Sequence, residues 1–117
     1  MNLIGKRILI VEDEPIVAMC LEDMLADFGC QVIGPAARLE EGLSLAEHEQ
    51  IDGAILDVNL GATRSYEIAD QLGHRAIPIL FATGYGRADY PERANVRLIA
   101  KPYRTEQVRA ELTALFS

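Results

Sequence analysis

Short apolar runs punctuate the chain, and several of them stop abruptly on a charged or hydroxylated residue. Ile8-Leu9-Ile10-Val11 runs into Glu12-Asp13, and Ala54-Ile55-Leu56 ends on Asp57. Ile77-Pro78-Ile79-Leu80-Phe81-Ala82 delivers Thr83-Gly84, and Val96-Arg97-Leu98-Ile99-Ala100 delivers Lys101-Pro102. Short apolar runs bounded by turn residues suit strands buried on both faces. They predict strands over residues 7–11, 53–57, 77–82 and 97–100, with a further short strand over 31–34 before a turn at Pro35 and Ala36. Helical spacing fills the intervals. Pro15 suits the first turn of a helix capped by Asp13 or Glu14. That helix carries Val17, Leu21, Met24, Leu25 and Phe28 inward, and Gly29 stops it. A second helix is predicted over 39–49 on Leu39, Leu43 and Ala46. A third spans 65–72 on Ile68, Ala69 and Leu72, closed by Gly73. The last spans 105–116 on Val108, Leu112 and Leu115.

Strands alternating with helices predict parallel βαβ units, with helices on both faces of one sheet. The fold class is therefore α/β, a doubly wound (βα)5 domain. The interval 83–96 breaks the pattern, because Gly84, Gly86 and Pro91 leave its helix little support. Glycine costs a helix interior ~1 kcal/mol and proline ~3 kcal/mol, so a short or frayed fourth helix is expected there.

Composition narrows the function. At 117 residues the chain is read as one domain over 1–117, its core over 7–116, with no output domain. Eighteen acidic against eleven basic residues leave a formal charge of −7. No basic run exists to neutralise phosphates, so nucleic acid is an unexpected partner, whereas a divalent cation is a suitable one. No apolar segment approaches the ~20 residues needed to cross a bilayer. The first residues lack signal-peptide architecture, so a cytoplasmic protein without membrane contact is expected. Cys20 and Cys30 lack metal-site spacing and read as small buried hydrophobes. His48 and His74 fall near helix ends and read as surface residues.

In an open α/β sheet, residues just past the carboxyl ends of the strands line the ligand crevice. Glu12 and Asp13, Asp57, Thr83, and Lys101 with Pro102 occupy such places in order. In that arrangement the chain resembles the receiver domain of two-component response regulators. The run Phe81-Ala82-Thr83-Gly84-Tyr85 resembles its F-A-T-G-Y subgroup, whose members are often single-domain. The resemblance implies a flavodoxin-like five-stranded parallel sheet in the order 2-1-3-4-5. It also implies a phosphorylation switch: Asp57 as the nucleophile that accepts a phosphoryl group from a sensor histidine kinase, of the HWE or a related type.

By the same resemblance, Asp13, Asp57 and the Asn59 main-chain carbonyl hold Mg²⁺, with Glu12 acting through a water. Lys101 and Thr83 contact the phosphoryl oxygens. Thr83, Gly84 and Tyr85 form the switch, and the Lys101-Pro102 bond is cis. Output is expected through binding of another, unspecified protein, or by draining phosphate from a shared kinase. Biologically the chain is then a signalling module that catalyses only its own phosphorylation and dephosphorylation.

Plainer readings stand beside each assignment. Glu12, Asp13 and Glu14 also suit a helix cap, Asp57 a loop cap, Thr83 a turn, Lys101 a solvated amine and Tyr85 simple packing. Leu98 occupies the position where most receivers carry Tyr or Phe, three residues before the lysine. Output is therefore expected from the loop and weak helix over 84–94, with Tyr85 as reporter. The competing functions are a constitutive pseudo-receiver that binds protein without using the pocket, and a phosphatase of the aspartyl-phosphate class. The phosphatase lacks its D-x-D pattern here. A flavodoxin-like cofactor binder is disfavoured by Glu12-Asp13-Glu14, which repels phosphate where a phosphate-cradling loop would have to be.

Overall fold

The computed structural model describes residues 3–61, 63–84 and 96–117. The chain runs β1 (Arg7–Val11), α1 (Pro15–Asp27), β2 (Gln31–Ala36), α2 (Leu39–His48) and β3 (Gly53–Asp57). A two-residue pair follows, β4 (Asn59–Leu60) and β5 (Thr63–Arg64), and then α3 (Tyr66–His74). It ends with β6 (Ile79–Thr83), β7 (Val96–Ala100) and α4 (Thr105–Leu115). The five long strands are parallel and lie in the order β2-β1-β3-β6-β7, the doubly wound arrangement that strand–helix alternation predicts. The expected fourth helix and Tyr85 fall within 85–95, outside the described residues.

Alternation along each strand divides the core between two faces. Leu9 and Val11 of β1, Leu56 of β3 and Phe81 of β6 meet Ile68 and Leu72 of α3 on one side. Ile8 and Ile10, Ile55 and Leu80 meet Leu21 and Leu25 of α1 and Val108 and Leu112 of α4 on the other. Every residue of β3 and β6 is buried, as continuous apolar runs require in a sheet covered on both sides.

Several boundaries depart from expectation. Strand β2 continues through Pro35 and Ala36, because the chain bulges there instead of turning: the register moves from Leu9↔Ile33 to Val11↔Ala36. Gly34, at φ +95°, absorbs the extra residue. Gly73 lies inside α3, and that helix is closed instead by Ala76 at φ +56°. There the Ile77 N–H donates to the Leu72 carbonyl at 3.0 Å. Glu14 is the residue preceding α1, yet its side chain makes no capping bond. Cys20 is exposed and Cys30 half-buried, so only the absence of a disulfide follows the sequence reading. The inward set leaves Ile16 and Met19 on the outer face of α1, where they are exposed, and Cys20 lies there with them.

The bulge has a use: with Ala36 opposite Val11, the Ala36 carbonyl accepts the Glu12 N–H at 2.9 Å and fixes where β1 releases the chain. A Cβ on Gly34 would lie 2.8 Å from the Ala36 nitrogen and 3.1 Å from the Ile10 carbonyl, both backbone atoms that cannot swing away. Gly34→Ala is therefore expected to lower unfolding free energy by ~1–3 kcal/mol in urea titrations. Unchanged stability would show that the bulge relaxes freely. Ala76→Gly should act in the opposite sense, raising stability by up to ~1 kcal/mol by relieving the left-handed conformation. A loss in that variant would mean that flexibility in the unfolded chain outweighs the strain.

Candidate functional site

Parallel strands end on the same side of a sheet, so the register decides which residues meet. Val11 of β1 lies beside Leu56 of β3, Asp57 beside Ala82 of β6, and Thr83 beside Ala100 of β7. One residue past these levels, Glu12, Asp57, Thr83 and Lys101 share a single edge. The Lys101 N–H donates to the Thr83 carbonyl at 2.8 Å and carries the pairing one step beyond β7.

The side chains converge on Lys101. Its Nζ lies 2.9 Å from Asp57 Oδ2, 3.0 Å from Glu12 Oε1 and 3.7 Å from Glu14 Oε1. Glu12 is 2% exposed, Asp57 6% and Thr83 2%, a degree of burial that ionisable groups tolerate only when paired. Ligand atoms of Glu12, Asp13, Glu14 and Asp57 all lie within 4.8 Å of one another. Above them opens a cleft of about 380 Å³ lined by Asp13, Asp57, Asn59, Gly61, Gly84 and Lys101, among others. Main-chain amides reach the same carboxylates: the Asn59 N–H donates to Asp57 Oδ1 at 3.3 Å and the Gly61 N–H to Asp13 Oδ2 at 2.9 Å. The Glu14 N–H donates to Glu12 Oε2 at 3.2 Å, so Glu12 supplies the bond at the start of α1 that Glu14 does not.

Burial pushes the Glu12 carboxyl up to about 7, the nearby Asp57 adds to the shift, and Lys101 offsets part of it. Burial lowers the Lys101 value, but its bonds to Asp57 and Glu12 outweigh that and hold the ammonium above its usual range. Among the described residues, four acidic side chains meet one lysine, which leaves the cluster short of positive charge. Hard carboxylate oxygens beside an open cleft form a donor set that fits a small divalent cation such as Mg²⁺.

Asp13, Glu12, Asp57, Asn59, Gly84 and Lys101 thus come together about one cleft. Thr83 is buried at the end of β6 beside it, and Tyr85 lies outside the described residues. The Lys101-Pro102 peptide bond is cis. Sequence reasoning gave Glu14 no place in the pocket and missed the β4–β5 hairpin. The pattern Asn59-Leu60-Gly61 followed by Thr63 held the signal, a glycine between strand-prone residues. It also missed Tyr103, whose buried hydroxyl has no hydrogen-bond partner among the described residues. Burial and the negative charge of Glu12 raise the Tyr103 phenol above its ordinary range.

The folded-state value of Glu12 lies above its unfolded one, so the folded protein retains a proton that the unfolded chain releases between about pH 4.5 and 7. The stability this gives is whole below pH 4.5 and is lost as pH rises through 7. Urea unfolding in a chelator should therefore show Glu12→Gln gaining on the wild type between about pH 5 and about pH 8, by at most ~3 kcal/mol. A difference that does not change with pH would mean that Glu12 titrates as in the unfolded chain.

Comparison with known proteins bears on this geometry. The family model described as "Response regulator receiver domain" matches residues 8–113. The solution structure of SdrG from Sphingomonas melonis Fr1 superposes with a TM-score of 0.83 at 38% identity, covering 100% of both chains. The phyllosphere-induced regulator PhyR of Methylorubrum extorquens is 37% identical over 94% of this chain and 43% of its own length. The transcriptional regulatory protein PdtaR of Mycobacterium tuberculosis is 30% identical over 86% of this chain and 51% of its own. The chain therefore spans about half the length of these curated relatives.

Proposed function

This chain belongs to the response regulator receiver domain family, and we propose that it is a phosphorylation switch with Asp57 as its acceptor. The observation that carries this reading is the Lys101 ammonium shared between buried Asp57 and Glu12 at 2.9 and 3.0 Å. A buried carboxylate paired with a fixed ammonium, at the mouth of an acidic cleft, suits attack on phosphorus. Asp57 would take the phosphoryl group from a phosphohistidine of a sensor kinase, of the HWE or a related type. The P–N bond breaks, a P–O bond forms on an Asp57 oxygen, and the imidazole keeps the electron pair and is protonated from solvent.

Asp13, Asp57 and the Asn59 carbonyl would hold Mg²⁺, with Glu12 acting through a water. When bound, the ion supplies the charge neutralisation that phosphoryl transfer demands. Lys101 would exchange one anionic partner for another, leaving the Asp57 carboxylate for a phosphoryl oxygen, and the Thr83 hydroxyl would meet another such oxygen. Gly84 lines the cleft beside these groups and leaves room for the transferred group. With Thr83 and Tyr85 it would pass the change to the surface.

Among the described residues no helix is long and apolar enough to cross a membrane. The proposed setting is the cytoplasm, where the switch would work as a receiver unit that binds a further protein or drains phosphate from a shared kinase. Members of this family are signalling modules, and the chemistry proposed for this chain is confined to its own modification and its reversal.

Intact-mass analysis after treatment with Mg²⁺ and acetyl phosphate tests the proposal. One phosphoryl group should be gained, only with Mg²⁺, and not in Asp57→Asn. If neither acetyl phosphate nor a panel of histidine kinases modifies the wild type, the switch gives way to a constitutive protein-binding module that keeps the fold without using the pocket.

A further inference from the structure

The β4–β5 hairpin is a built element. Its ladder pairs Asn59 with Arg64 and Leu60 with Thr63. Leu60 and Val58 are buried in the core face shared with α3, and the Ser65 N–H donates back to the Val58 carbonyl at 3.0 Å. The Thr63 hydroxyl closes the turn on the Leu60 carbonyl at 3.0 Å. An element anchored at both ends can hold a main-chain group in place, which a loose loop cannot.

Two of its N–H groups donate to carboxylates of the acidic cluster. One, on Asn59, meets Asp57. The other, on Gly61, meets Asp13 across 48 positions of sequence, at 2.9 Å, and engages Oδ2. An amide donating to a carboxylate makes a short charge-assisted bond and fixes the rotamer of its acceptor. Outer partners of this kind orient a ligating carboxylate and raise the affinity of the ion it holds. Gly61 reaches this geometry at φ +62°, where its Cβ position faces open space.

We propose that the Gly61 amide is a positioning group for Asp13. It clips the β3–α3 hairpin to the β1–α1 loop and presents the Asp13 carboxylate to the divalent cation. The inference rests on the Mg²⁺ site proposed above and adds to it a main-chain determinant of affinity. Through the same bond the hairpin, with its exposed Thr63 and Arg64, is tied to the state of the pocket.

Calorimetric titration of Mg²⁺ into the full chain tests the clip through binding alone. Gly61→Asn keeps the N–H and tolerates positive φ, and should bind within about twofold of the wild type. Glycolic acid in place of Gly61, an amide-to-ester exchange made by chemical ligation of the full chain, removes the donor while leaving φ free, and should bind ~10-fold more weakly with an unchanged circular dichroism spectrum. Equal affinity in the ester form, or an equal loss in Gly61→Asn, overturns the clip. A second measurement needs no change at position 61. Amide exchange of Gly61 in Mg²⁺-free wild type should be slow and should accelerate in Asp13→Ala, which removes the acceptor, and identical rates would overturn the proposal. Failure of the wild type to take up Mg²⁺ at all would instead overturn the reading of the site, and the clip with it.

Discussion

One ammonium group holds together an edge of the molecule that would otherwise repel itself. Lys101 stands within 3.0 Å of two carboxylates that are almost wholly buried, and within 3.7 Å of a third. Removing such groups from water carries a penalty of several kcal/mol per ion, about what a well-placed counter-charge returns. The cluster is therefore close to balance and remains net negative. Burial is the main reason the Glu12 carboxyl is raised, and the neighbouring Asp57 adds to it. A site in this condition responds strongly to added charge, which is what the cation and the phosphoryl group proposed above would bring.

The remainder of the fold keeps these groups from separating. Apolar strands covered on both faces cannot slide, because a one-residue slip would turn every core side chain to the wrong layer. The register from Val11 through Leu56 and Asp57 to Thr83 is thereby fixed, and with it the level at which each functional side chain leaves the sheet. The bulge at Gly34 refines this by bonding Ala36 to the first residue past β1. Packing energy distributed over the domain is thus spent on placing four side chains at one edge.

Main-chain donors complete the pocket. The amides of Glu14, Asn59 and Gly61 each meet a carboxylate of the cluster. Partial positive charge from the backbone spreads the repulsion among the acids without adding a second cation that would compete with a metal. This division of labour fixes the carboxylates by backbone bonds while Lys101 supplies the charge between them.

The order of strands and helices, the carboxyl-end positions of Glu12, Asp13, Asp57, Thr83 and Lys101, and the acidic character of the site were all legible in the amino-acid sequence. Periodicity of 2 and 3.6 reports burial directly, and an apolar run that ends on a charge marks the edge of a sheet. The sequence also misplaced features for identifiable reasons. Gly34-Pro35 carries the signal of a turn, and only pairing with β1 made it a bulge. Gly73 carries the signal of a helix end, yet the helix ran on to His74 and closed at Ala76. The exposed face of α1 depends on which side the sheet presents. Tertiary structure alone decided that Glu12 shares Lys101 with Asp57, that Glu14 joins them, and that Gly61 reaches Asp13. Those contacts join residues 44 positions apart or more, and a distance across that much chain is set by packing, not by local pattern.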